Sequence, residues 1–89
     1  MSTSTNPRAA AATVDARAVR AWYADGRVWL ELDDGRQVGF PPDKCPRLRG
    51  ATPDALAKVR VEARGKALRW EELDEDLTVE GIVAGRWPR

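Results

Sequence analysis

The chain predicts an α+β fold: a three-stranded antiparallel meander, a short helix, a second β-hairpin and a C-terminal short helix. Three observations carry that prediction. Two runs of alternating apolar and polar residues, 19–40 and 59–70, are interrupted by Asp25-Gly26, Asp33-Asp34-Gly35 and Arg64-Gly65. A period of two marks half-buried strands, and such turn residues supply the positive φ that tight hairpins need. Thr52-Pro53-Asp54 separates the runs as a helix start, and Leu77, Val79, Ile82 and Val83 offer one apolar helical face ending at Gly85.

Met1 to about Asp15 is rich in Ser, Thr and Ala without apolar periodicity, so residues 1–15 read as a flexible tail and 16–89 as one small domain. Folding at Asp25-Gly26 pairs Tyr23 with Val28, Trp22 with Trp29, Ala21 with Leu30, Arg20 with Glu31 and Val19 with Leu32. Apolar residues then meet on one face, while a tryptophan pair and an opposite-charge pair share the other. A three-residue loop at 33–35, with Gly35 left-handed, pairs Leu30 with Val38, Val28 with Phe40 and Glu31 with Gln37. It also sets Trp29 against Gly39, where an indole can cover bare backbone.

Pro41-Pro42 ends this strand, since proline cannot continue the ladder. An irregular segment, 43–49, carries Cys45 and Leu48. Thr52 is the expected N-cap of a helix running from Pro53 to about Lys58, with Asp54 favourable at its positive end. Val59, Val61 and Ala63 alternate with charged residues and pair back onto 66–70 across Arg64-Gly65. The helix after the acidic run contains Gly81, which costs about 1 kcal/mol against Ala and so points to close backbone packing. The expected core is Val19, Ala21, Tyr23, Val28, Leu30, Leu32, Val38, Phe40, Leu56, Val59, Val61, Leu68, Trp70, Leu73, Leu77 and Ile82.

Composition bounds the function. The 89 residues are 33% charged and 43% hydrophobic, as expected of a small soluble globular domain near the lower size limit for one core. No stretch approaches the ~20 apolar residues of a membrane span, and no secretory signal pattern opens the chain, so the cytoplasm is the expected location. Cys45 is the only cysteine, which rules out an intrachain disulfide, and there is no histidine. Ser-His and Cys-His catalytic arrangements are therefore excluded. The net charge of +1 conceals a segregation: residues 41–69 hold eight basic and three acidic groups, residues 70–89 six acidic and two basic. The simple reading is that the two blocks face each other or merely solvate separate strands.

Four groups of residues invite a functional reading. Glu71, Glu72, Asp74, Glu75, Asp76 and Glu80 have the charge a hard cation wants but not the ligand spacing of a calcium loop. Asp74 or Asp76 is expected instead to cap the following helix. Lys58, Arg60, Arg64, Lys66 and Arg69 gather on one hairpin, with Arg60 and Arg69 outward on adjacent strands where they can approach phosphates together. Glu62 in the same stripe and the lack of a base-stacking aromatic pattern count against nucleic acid. Cys45, between Lys44 and Pro46, reads as a buried inert thiol rather than an activated one. Trp22 and Trp29 lie opposite the expected core. Either they form a minor core covered by the N-terminal tail or the Trp87 segment, or they are an aromatic patch that anchors a partner, with Arg20 and Glu31 beside them.

The combined pattern resembles the domain of unknown function 2442, a family of small bacterial proteins, over roughly Ala16 to Trp87. The resemblance rests on the strand with its Asp34-Gly35 turn, on Pro46-Arg-Leu48 followed by Ala51-Thr-Pro53, and on the hairpin ending in Trp70. Its most specific part is Leu73-Asp-Glu-Asp-Leu-Thr-Val-Glu-Gly-Ile-Val-Ala-Gly85. The resemblance implies a compact α+β domain with no established activity, no cofactor, and a role as an antitoxin-like partner in small two-gene modules. Some relatives add a helix-turn-helix domain; none is read up to Arg89, so direct operator binding by this chain is not expected. The expected function is thus a non-enzymatic protein-interaction module, possible also as a homodimer, with no metal or catalytic residues. Nucleic-acid binding through residues 58–69 is the alternative.

Overall fold

The structure, a computed structural model, describes residues 15–88. The tail expected at 1–15 lies, apart from Asp15, outside the described residues. Two three-stranded antiparallel sheets and two short helices make up an α+β fold. The first sheet contains β1 (Ala18–Ala24), β2 (Arg27–Leu32) and β3 (Gln37–Phe40) in the order β1-β2-β3. After α1 (Pro53–Leu56) comes the second sheet, β4 (Arg60–Glu62), β5 (Ala67–Trp70) and β6 (Glu75–Thr78), and then α2 (Val79–Ala84).

Turn chemistry sets the register of the meander. Asp25 and Gly26 have φ of 54° and 76°, so β1 and β2 pair as Tyr23–Val28, Trp22–Trp29, Ala21–Leu30 and Arg20–Glu31, as expected. Gly35 has φ of 93°; its N–H donates to the Leu32 carbonyl at 2.9 Å, and the Leu32 N–H donates to the Arg36 carbonyl at 2.8 Å. That closes the expected three-residue loop and gives the pairs Leu30–Val38, Trp29–Gly39 and Val28–Phe40.

The register departs from expectation at one place. Leu32 pairs with Ala18, not Val19, because the ladder shifts by one residue between Ala18 and Arg20. Val19 is the extra residue of this bulge and is 57% exposed, while Ala18 takes the core position. Strict alternation carried back from Ala21 misplaces it. The bulge brings the start of β1 over the second hairpin, where a Cβ on Gly65 would lie 2.7 Å from the Ala18 carbonyl oxygen. The Arg17 guanidinium donates to the Arg64 carbonyl at 3.0 Å across the same contact.

The other expected core residues are buried or packed against the core. To them the structure adds Ala16, Ala18, Cys45, Leu48 and Val79. Thr52 caps α1 as expected, accepting from the Ala55 N–H at 3.2 Å, although the helix ends at Leu56 rather than about Lys58. Trp70, 1% exposed, donates its indole N–H to the Leu56 carbonyl at 3.2 Å. A sheet side chain thereby satisfies one of the carbonyls that a helix end leaves unpaired.

The acidic run differs most from its reading. Glu71 to Asp74 form a tight loop, with Asp74 left-handed at φ 50°, and Glu75–Thr78 is a strand paired with β5 through Leu68–Leu77 and Arg69–Asp76. Leu77 therefore belongs to a strand, not to the helix. Neither Asp74 nor Asp76 caps α2. Thr78 does, its hydroxyl accepting from the Gly81 N–H at 3.0 Å. A Cβ on Gly81 would sit 2.7 Å from that hydroxyl oxygen and 3.5 Å from the nearest backbone atom outside its helix, the Arg86 carbonyl oxygen, so the capping side chain rather than packed backbone crowds this position. Gly85, at φ 76°, ends α2.

Candidate functional site

The β1–β2 hairpin turns its apolar face inward, so the opposite face carries Arg20, Trp22, Arg27, Trp29 and Glu31. Trp22 and Trp29 are cross-strand partners and both are half-buried. The ring of Trp29 lies on Gly39, with three ring carbons 2.7–2.9 Å from where a Cβ would be. Its indole N–H donates to the Ala24 carbonyl at 3.1 Å, which fixes the ring across the hairpin. The Arg20 guanidinium stacks 4.5 Å from the Trp22 ring centroid, and its Nε donates to Glu31 at 2.7 Å. The carboxylate thus lies where it favours the placement of the cation over the indole, although the pair stands on the solvent-exposed face.

Trp87 does not cover this face. It packs on Phe40, with ring centroids 5.0 Å apart, on the core side of the meander. Covering by the N-terminal tail concerns residues outside the described range. All four residues expected at a partner site, Trp22, Trp29, Arg20 and Glu31, thus lie together on one sheet face. Arg27 joins them, as its alternation with Val28 already implied.

The basic hairpin is assembled as expected but is heavily neutralised. Arg60 and Arg69 are direct cross-strand partners. Arg69 reaches Glu71 at 3.1 Å, Asp76 at 3.1 Å and Asp74 at 3.3 Å. The hydrogen bonds it donates to Glu71 and then Asp74 raise its pKa. Arg60 contacts Glu62 at 2.6 Å, and Lys58 contacts Glu72 at 2.9 Å, which raises the lysine pKa. The two oppositely charged blocks of the sequence therefore face each other. Arg64, left-handed at φ 57°, and Lys66 stand in the loop at the hairpin's end, with no ion pair among the described residues.

Cys45 is completely buried, and burial first, then the charge of Glu75, pushes its thiol up to about 11. It is therefore inert at neutral pH. No group of three or more His, Cys, Asp or Glu side chains among the described residues is placed to hold a metal. A depression of about 290 Å³ beside the β1–β2 turn is lined by Tyr23, Pro41, Pro42, Leu48 and Leu56, with Asp43 the only charged residue at its wall. No described helix is long and apolar enough to cross a membrane.

These features define a small α+β domain with an ordered aromatic sheet face. The chain belongs to the family described as protein of unknown function (DUF2442), whose model matches residues 18–87. It is similar to a crystal structure of a protein of unknown function from Rhodospirillum rubrum, with 37% identity and a TM-score of 0.79 over 83% of this chain and 92% of that one. It is also similar to an uncharacterized protein from Chromobacterium violaceum solved by solution NMR, with 26% identity and a TM-score of 0.73 over 100% of this chain and 90% of that one. No curated protein matches it.

Proposed function

We propose that this protein is a non-enzymatic interaction module, an antitoxin-like or regulatory partner in a small two-gene system. One observation carries the reading: Trp22 and Trp29 are cross-strand neighbours on the sheet face turned away from the core, with Arg20 over Trp22 and bonded to Glu31. Rigid aromatic and arginine side chains bind at low entropic cost, because their conformations are set before the partner arrives. In this reading the module works in the cytoplasm, with Cys45 reduced. The test is a pull-down of the product of the adjacent gene by the wild type and by a Trp22→Ala, Trp29→Ala double variant. Loss of capture with an unchanged circular dichroism spectrum supports the reading; full capture by the folded double variant refutes it.

The adjacency of Arg60 and Arg69 supports a second reading, contact with nucleic-acid phosphates. Phosphates would compete there with Glu62, Glu71, Asp74 and Asp76. Binding of that kind weakens steeply with salt, and a salt-independent signal excludes it.

A further inference from the structure

Sheet edges present rows of unpaired N–H and C=O groups, and proteins guard them with charge, proline or cover. Among the described residues this fold has four outer strands. Two of them, β1 and β4, lie against each other. On β6, Glu75 and Asp76 supply guarding charge. The fourth strand, β3, reads Gln-Val-Gly-Phe and carries neither charge nor proline.

The register shows which of its groups point outward. Leu32 bonds Arg36, and antiparallel ladders alternate, so Val38 and Phe40 bond β2 while Gln37 and Gly39 aim theirs away from it. No partner for those groups occurs among the described residues.

We propose that the open edge of β3 pairs antiparallel with β3 of a second copy of this chain, about a two-fold axis through Val38. Gln37 of each copy falls opposite Gly39 of the other, so four outward N–H groups meet four outward carbonyls in four hydrogen bonds. Val38, half-buried at the rim of the core, meets Val38 of the second copy on the inner face. The two meanders then form one six-stranded sheet, and Gln37 of each copy lies beside the Trp29–Gly39 row of the other. A chain with so small a core gains from such a partner. The pairing is independent of the interaction reading above, since it is measured on the isolated protein.

The test is a light-scattering mass of the full chain over a concentration series, with amide exchange followed at Gln37 and Gly39. The mass is expected to double with concentration while both amides slow in step. Gln37→Pro removes an outward N–H without touching the ladder to β2, and is expected to restore the mass of one chain. A single-chain mass throughout overturns the proposal. So does a dimer in which the Gln37 and Gly39 amides exchange at the same rate at low and high concentration, because that dimer uses another surface. Should Gln37→Pro fail to fold, the exchange data on the wild type decide alone.

Discussion

The indole of Trp29 rests directly on the backbone of Gly39, with ring carbons 2.7 Å from the site of a missing Cβ. The glycine is required for this contact and not for its own conformation, since Gly39 is not among the residues with positive φ. Its absent side chain is what lets Trp29 lie flat on the outer face and present its other surface.

Gly39→Ala is therefore expected to destabilise the fold by about 1–3 kcal/mol through overpacking, despite the better strand propensity of alanine. The urea midpoint measures the loss, and a shift in tryptophan fluorescence reports the displaced ring. In a Trp29→Ala background the same change should become neutral or stabilising. Additive losses would show that the contact is not the cause.

Trp70→Phe should cost about 1–3 kcal/mol beyond any packing change. It leaves the Leu56 carbonyl buried at a helix end without its donor. Thermal melting measures this, and an unchanged midpoint would show that the bond contributes nothing.

Arg69→Met removes the one cation shared by Glu71, Asp74 and Asp76. Asp76 then loses its ion pair, while Glu71 and Asp74 keep only the longer contacts to Arg60 and Arg47 at 3.8 and 3.5 Å. The melting temperature is expected to fall at low salt, with the gap to wild type narrowing as salt is added. A gap independent of salt would mean that the aliphatic stem, rather than the charge, supports the loop.

Burial raises the Cys45 thiol from an ordinary 9.0 to about 11. The group is neutral in the fold and ionises more readily when unfolded. Its contribution to stability is therefore fully present below about pH 9 and is lost as pH rises towards 11. Chemical denaturation at pH 8 and pH 10.5 should show a larger loss in wild type than in Cys45→Ala. Iodoacetamide should label the native thiol slowly at pH 8 and the urea-unfolded chain quickly.

The sequence by itself determined the family, the α+β class, the registers of both turns in the meander, the Thr52 cap and the opposition of Trp22 to Trp29 and of Arg60 to Arg69. All of these follow from signals confined to a few residues: positive-φ turn positions, period-two alternation and capping chemistry. Contacts between distant segments were decided only in three dimensions. Val19 is expelled into a bulge because the start of β1 docks on Gly65, more than forty residues away along the chain. Glu75–Thr78 becomes a strand because β5 offers it a free edge and Arg69 neutralises Asp76 across the pair, although its composition does not favour a strand. Leu48 enters the core from a segment without periodicity, where nothing local marks an inward face, whereas the burial of Cys45 there was already expected of a lone cysteine. At each of these positions, tertiary pairing outweighed the weaker local preference.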